Sequence, residues 1–440
     1  MKKCLCICLV CLLLAPVLGA AAWAEDFLPA AQNVILADMD TGAVLYELNA
    51  DERCAPASLT KIMTVLLAVE AIEAGEATRM EYIAAQEGFR AGLDDNSSSA
   101  GIQLGERLRL EELLYCAMLP SANESCNIIA CRLGGSVEAF AEKMNARAAA
   151  LGCTDTHFAN PNGLSSENHY TTAHDLLLIA REAMRHELFA EICAAAEYTV
   201  PATNMSGKRE LENTNALLNP NGLYGAGYVY DGVFGVKTGY TSEAGYCLVA
   251  AVEREDTRLM AVVLGCAGSA DTGYGHFSET TRLLDWAFEK YDRQTVLAAA
   301  QSVWTGKVRF GKGAAALYPA QDVTLFLPVG ESLPEAELVV DEAALEAPIA
   351  VGTQLGAATV LYGGAVVTVP LVTKSPVERN ALQWMAHRLL HSVWFWLALV
   401  LVCLGAAYVI SQRAAVRRRR KRRMATCAQG LSPRRRTGKH

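Results

Sequence analysis

The chain has 440 residues and a formal net charge of −8, but that charge is unevenly distributed. Twelve lysines and arginines crowd between Arg413 and His440 with no acid among them, and two lysines sit at the extreme N-terminus; the body between carries 25 bases against 47 acids, about −22. So acidic a body argues against a nucleic-acid partner, and its length suits one large domain and one small one.

Met1 to about Ala24 combines two lysines, the apolar run CLCICLVCLLLAPVLGAA and a small-x-small site at Ala22-Trp23-Ala24. That pattern predicts a secretory signal peptide over 1–24 and an exported body. NVILADMDTGAVLYELN then reads as a hairpin of two alternating runs around Asp40-Thr41-Gly42. From Ser58 to Ala74 the spacing of Ile62, Leu66, Val69 and Ile72 predicts a helix. Helical patterns continue through EELLYCAMLPSANESCNIIACRL, VEAFAEKMNARAAAL and TTAHDLLLIAREAM, with Asp175 opening the last and anchoring the loop before it. Strands return in VFGVKTGYT, GYCLVAAVERED and RLMAVVLGC, followed by a helix at ETTRLLDWAFEKY. This order predicts an α+β catalytic domain over 25–292, with helices packed on an antiparallel sheet.

Over 296–374 short apolar runs punctuated by Gly and Pro (VTLFLP, ELVVD, VVTVPLV) predict a small all-β domain. A juxtamembrane segment, 375–392, leads to the uncharged stretch VWFWLALVLVCLGAAYVI at 393–410, long enough for one transmembrane helix. The block of bases at 411–440 then predicts a cytoplasmic tail. Eight cysteines fall in the exported body, at 54, 116, 126, 131, 153, 193, 247 and 266. None has CxxC spacing, so no zinc site is indicated.

Ser58 and Lys61 stand three apart at the start of the first long helix, so hydroxyl and amine share a face. A serine needs a base before it can attack, and a lysine among apolar neighbours near a second cation can be that base. Ser121-Ala122-Asn123 follows a helical run in a turn that could bring a hydroxyl and a carboxamide to the same cleft. Lys237-Thr238-Gly239 ends an apolar strand; its lysine supplies a like charge to depress Lys61 and a cation for a carboxylate, and its glycine lets a substrate backbone lie close. Ser-x-x-Lys, Ser-x-Asn and Lys-Thr-Gly in this order form the motif set of β-lactamases and penicillin-binding proteins.

With PASLTKIMT, HFANPNGLSSENHYTTAHDL, NTNALL, GVKTGYTSEAGYCLVAA and RLLDWAF, the chain resembles the low-molecular-weight penicillin-binding proteins that are serine D-alanyl-D-alanine carboxypeptidases, from about Gln32 to Thr373. The resemblance implies a penicillin-binding-protein-like catalytic fold and no metal or cofactor. It implies Ser58 as acylated nucleophile, Lys61 as base and Ser121 as proton relay. Asn123 would hold the substrate amide, Lys237 and Thr238 its terminal carboxylate, with Gly239 beside them. The backbone N–H groups of Ser58 and Tyr240 would form the oxyanion hole. Implied partners are peptidoglycan stem peptides, β-lactams as covalent inhibitors and the cytoplasmic membrane.

Three features depart from that family. Ala122 replaces a frequent glycine. The stretch GCAGSADTGYGHFSETT lacks the arginine that some relatives use for the carboxylate, leaving His276, expected at the surface, as a weak substitute. The C-terminal segment reads as a full span where many relatives have an amphipathic helix. Glu167-Asn168 lacks the E-x-x-L-N pattern of class A β-lactamases. His157 and His169 read as loop-packing residues, and Cys54 as a packed thiol. The alternatives to a carboxypeptidase are a D,D-endopeptidase or β-lactamase on the same fold, or a non-catalytic wall-binding protein.

Overall fold

The computed structural model describes residues 27–429, so the signal-peptide reading of 1–24 and the last eleven tail residues lie outside the described part. Two compact units divide the chain. One runs to Val296 and includes Val323–Ala336 and Thr359–Thr368; the other comprises Leu297–Asp322, Glu337–Ala358 and the chain from Val369 onward.

In the first unit, β1 (Asn33–Asp38) and β2 (Val44–Leu48) form the expected hairpin. A 3₁₀ turn, Ala57–Thr60, leads into α1 (Lys61–Glu73). A short ribbon of β3 (Tyr82–Ala84) and β4 (Arg107–Arg109) precedes α2 (Leu110–Met118), α3 (Asn123–Gly134), α4 (Val137–Ala150), α5 (Ala173–Ala183) and α6 (Glu187–Ala194). A second ribbon, β5 (Glu197–Val200) with β6 (Arg209–Glu212), leads to β7 (Val233–Thr241), β8 (Gly245–Arg254) and β9 (Thr257–Cys266). The small pair β10 (Gly268–Ser269) and β11 (Gly273–Tyr274) then turns the chain into α7 (Gly275–Lys290).

The main sheet is antiparallel, in the order β2-β1-β9-β8-β7. Strand side chains alternate between faces, and here both faces are buried. Ile35, Ala37, Val249, Ala251, Met260 and Val262 join the core with α1 and the other helices. Val34, Leu36, Leu248, Ala250, Ala261 and Val263 join a second core with Phe277, Leu283 and Leu284 of α7. That is why β8 and β9 are nearly continuous apolar runs, and why β1, expected to alternate, is buried along its whole length. Helix α1 is covered on nearly every side, with Ile62, Met63, Val65, Leu66, Ala68 and Val69 all buried. The expected single apolar stripe is therefore too narrow a description: α1 is the central helix.

The C-terminal part is all-β. After β12 (Tyr291–Leu297) come β13 (Trp304–Lys307), β14 (Ala314–Pro319), β15 (Val323–Pro328), β16 (Ala336–Val340), β17 (Gln354–Tyr362) and β18 (Ala365–Thr373). Five of them form a sheet ordered β13-β14-β18-β17-β16, while β12 pairs with β15. Phe326 of β15 stacks on Tyr291, and Gly363 O accepts a hydrogen bond from Val44 N at 2.8 Å, so both segments belong physically to the first unit. The chain closes with α8 (Ala381–Leu390) and α9 (Val393–Gln429). Among the described residues α9 alone is long and apolar enough to cross a membrane, with a mean hydropathy of 2.4 in its apolar window and none of that window buried.

Candidate active site

The helix expected from Ser58 starts later. Ser58 lies in the 3₁₀ turn and Lys61 is the first residue of α1. In a 3₁₀ turn side chains at i and i+3 eclipse, and the two meet: Lys61 Nζ is 2.8 Å from Ser58 Oγ. Lys61 is fully buried, and its Nζ also donates to Asn123 Oδ1 at 2.8 Å and to Asn162 O at 2.5 Å. Three acceptors thus surround one ammonium; when it loses a proton, two hydrogens can stay on the carbonyl oxygens and leave the lone pair for the serine hydroxyl.

Burial lowers Lys61 to about 8, against the opposing pull of Cys126 and Glu124. Lys237 is also buried and is lowered further, to about 7, by desolvation first and then by the charge on Lys61. Desolvation is the first cause for both lysines, and the like-charge repulsion between them belongs to the pair; together they make each ammonium readier to give up its proton.

The turn before Ser58 is fixed from several sides. Ala57 is left-handed, with φ +48°. Its carbonyl accepts from Thr60 Oγ1 at 2.9 Å, and Thr60 Oγ1 lies 2.9 Å from His169 Nε2. Ala159 N donates to His169 Nδ1, which assigns the ring proton to Nε2 and makes His169 the donor to Thr60. Burial, His157 and Lys61 together hold His169 down at about 4. The expectation of a packing histidine agrees with this chain of bonds. Asp175 likewise anchors its loop, accepting from Asp155 N at 2.9 Å and Thr156 Oγ1 at 2.7 Å.

Between α2 and α3 the chain places Ser121 at φ +65° with a buried Oγ that finds no hydrogen-bond partner among the described residues. A left-handed non-glycine residue and an orphaned buried hydroxyl each cost on the order of 1–3 kcal/mol. Such strain at one residue is characteristic of functional positions. Asn123, two residues on, opens α3 and turns its Oδ1 to Lys61.

Strand β7 completes the group. Lys237, Thr238 and Gly239 lie in the middle of it rather than at its end. Lys237 Nζ donates to Thr238 O at 3.1 Å, and Thr238 Oγ1 is 2.6 Å from Thr214 Oγ1. A Cβ on Gly239 would lie 3.2 Å from both Ser58 N and Ala57 Cβ, so this glycine lets the strand press against the serine turn. Tyr240 follows, exposed, its ring 4.4 Å from Tyr246.

His276 corrects an expectation. It is buried, not at the surface; it stacks on Tyr246 at 5.1 Å and touches Phe277. Desolvation pushes it down to about 3, so at neutral pH it offers no positive charge to a carboxylate. Away from Ser58, Glu70, Glu182 and His186 converge closely enough to suit a metal ion, but Arg147 already bridges the two carboxylates at 2.6 and 2.7 Å.

Two features of the site carry no motif: the Asn162 carbonyl on Lys61 and the approach of Gly163 to Ala57. Their only sequence signal is their place in HFANPNGLSSENHYTTAHDL. With the geometry in place, comparison with known proteins is direct. The D-alanyl-D-alanine carboxypeptidase family model matches residues 22–268, more than half the chain. The chain belongs to the D-alanyl-D-alanine carboxypeptidase family. The C-terminal domain of penicillin-binding protein 5 matches 291–379. D-alanyl-D-alanine carboxypeptidase DacF of Bacillus subtilis is 33% identical over 352 residues, covering 79% of this chain and 86% of the relative. DacA of Escherichia coli is 32% identical over 329 residues, covering 72% and 76%. Penicillin-binding protein 5 from Haemophilus influenzae superposes with a TM-score of 0.64 at 27% identity, covering 81% of this carboxypeptidase-family chain and all of that one. The fold is thus that of a penicillin-binding protein: an α+β catalytic domain, an all-β domain and one apolar C-terminal helix.

Proposed function

We propose that this enzyme is a membrane-anchored serine D-alanyl-D-alanine carboxypeptidase that removes the terminal D-alanine from peptidoglycan stem peptides through an acyl-enzyme on Ser58. The observation that carries the reading is the buried Lys61 Nζ 2.8 Å from Ser58 Oγ, with its other two positions taken by carbonyl oxygens. Neutral Lys61 takes the Ser58 proton as Oγ attacks the carbonyl carbon of the penultimate D-alanine. The oxyanion is received by the N–H groups of Ser58 and Tyr240. The departing D-alanine nitrogen gains a proton by way of Ser121, whose hydroxyl has no partner among the described residues. Asn123 Nδ2 holds the substrate amide, while Lys237 and Thr238 receive the terminal carboxylate. Water then cleaves the ester. A β-lactam follows the same path, but its leaving amine stays tethered, so the adduct lasts longer than a peptide turnover. Release of free D-alanine from a pentapeptide by purified protein tests the reading; no release from any D-Ala-D-Ala peptide would refute it.

The pair of buried lysines sets the pH dependence. Turnover needs Lys61 neutral and Lys237 charged. Below about 7 both are protonated and the base is blocked; above about 8 neither carries the charge for the carboxylate. The profile of kcat/KM is therefore expected to be bell-shaped, rising through about 7 and falling through about 8, as a property of the pair. At saturating peptide the bound carboxylate draws the remaining proton to Lys237, so the falling limb of kcat moves to higher pH. A flat profile between pH 6 and 9 would contradict this assignment.

Helix α9 supplies the anchor, its apolar part followed by Arg417-Arg418-Arg419-Arg420-Lys421 and two further arginines. Positive residues stay on the cytoplasmic side, which puts the catalytic domain outside. A reporter fused after His440 is expected to be active only in the cytoplasm, and full-length protein to resist carbonate extraction. Release by carbonate without detergent would mean surface attachment.

A further inference from the structure

Thr214 lies outside the three motifs, yet it is held where two of them meet. Its backbone N–H donates to Leu119 O at 3.2 Å, two residues before Ser121, and its Oγ1 lies 2.6 Å from Thr238 Oγ1. Its neighbours fix it in place. Asn213 Nδ2 donates to Ala195 O at 2.9 Å, and Asn215 Nδ2 donates to Gly235 O of β7 at 3.0 Å; both asparagines are buried. Nothing comparable supports Thr238 from the stretch after β9. No arginine occurs between Cys266 and Thr280, Arg282 is paired with Glu279, and His276 is buried and neutral. Recognition of a carboxylate here rests on Lys237 and on hydroxyl groups.

Two hydroxyls at 2.6 Å share one proton and leave one free. When Thr214 is the donor, Thr238 keeps its own proton for a third group, and accepting a hydrogen bond makes Thr238 the stronger donor. We propose that Thr214 is a positioning residue for carboxylate-terminated substrates: its hydroxyl donates to Thr238 Oγ1 and so directs the Thr238 proton to the substrate's terminal carboxylate. This rests on the D,D-carboxypeptidase reading above.

The test uses full-length protein in detergent, a D-Ala-D-Ala pentapeptide, and two penicillins that differ only at the carboxylate, benzylpenicillin and its methyl ester. Thr214→Val is expected to raise KM for the peptide about tenfold with kcat within about twofold, the upper end for losing one neutral hydrogen bond, here the one that orients and strengthens the Thr238 donor. It should slow acylation by benzylpenicillin about tenfold and leave the methyl ester rate unchanged, since the ester carries no anion to receive. Thr214→Ser should recover most of the loss. The acid-to-ester ratio is measured within one sample, so partial unfolding cancels, and Thr214→Ala gives the same comparison if valine is poorly tolerated. Equal slowing of acid and ester would reduce Thr214 to packing and overturn the proposal, as would an unchanged ratio. A wild type that neither releases D-alanine nor reacts with penicillin would overturn the parent reading itself, before any variant is made.

Discussion

Lys61→Arg is expected to lose covalent penicillin labelling by on the order of 10³-fold or more while the protein stays folded. Arginine keeps a positive charge and can still donate to Asn123 Oδ1 and Asn162 O, the two acceptors that hold the lysine. It cannot release its proton at neutral pH, so no lone pair faces Ser58. Lysine at the same place is brought by burial to about 8, within reach of deprotonation. Ser58→Ala is the companion: it leaves Lys61 in place and removes the oxygen that lies 2.8 Å from its Nζ. Stopped-flow or gel labelling with a fluorescent penicillin, alongside a thermal melt, separates chemistry from folding. Labelling of folded Lys61→Arg at the wild-type rate would take the lysine out of the base role.

Gly163→Ala is expected to be nearly as damaging, although residue 163 lies outside the three motifs. Gly163 has φ +91°, a conformation that L residues with a side chain rarely adopt, and an added Cβ would sit 1.9 Å from Ala57 O and 2.4 Å from Ala57 C. Neither atom can give way without moving Ser58, because Ala57 O is also held by Thr60 and through it by His169. Relief therefore means shifting the serine turn or the loop whose Asn162 carbonyl holds Lys61. The expected cost is about 3 kcal/mol of stability, seen as a lower unfolding temperature. Acylation by the variant that remains folded should fall on the order of 10²-fold, the usual price of misplacing reacting atoms by about 1 Å. Wild-type stability and acylation together would show that the loop is not what fixes Ser58.

The parts of the site that were legible in the sequence are those whose chemistry lies in side chains at fixed spacing. Ser58 and Lys61 three apart are readable because that spacing puts hydroxyl and amine on one side of a turn; Ser121-Ala122-Asn123 and Lys237-Thr238-Gly239 are readable as short runs of polar residues beside apolar helix and strand patterns. The sheet was readable from its runs, since strands buried on both faces cannot carry polar alternation. Other features left no such trace. The Asn162 carbonyl is a backbone atom and carries no residue signature. Gly163 looks like any glycine in a turn, because its need arises from Ala57, more than a hundred residues earlier. His276 sits among small and polar residues and reads as exposed; the rings that bury it, Tyr246 and Tyr224, come from other elements. Sequence alone reads Gly239 as making room for substrate, and gives no sign that it also makes room for Ser58 N. The strands of the C-terminal part were visible from their Gly and Pro punctuation. That Val323–Ala336 and Thr359–Thr368 group with the first unit was not, because the pairings responsible are remote in sequence.

The most direct test of the account is the site of the penicillin adduct. Trypsin cuts after Arg53 and Lys61, so one peptide, CAPASLTK, holds both Ser58 and Cys54. Cys54 is half-buried, and desolvation pushes its thiol up to about 12, which leaves it protonated and unreactive. Full-length protein treated with benzylpenicillin, quenched in acid and digested should carry one penicilloyl group on this peptide. Fragmentation should place the added mass on Ser58, and the Ser58→Ala protein should carry none. An adduct on Cys54, or an unmodified peptide from protein that releases D-alanine, would contradict the serine acyl-enzyme.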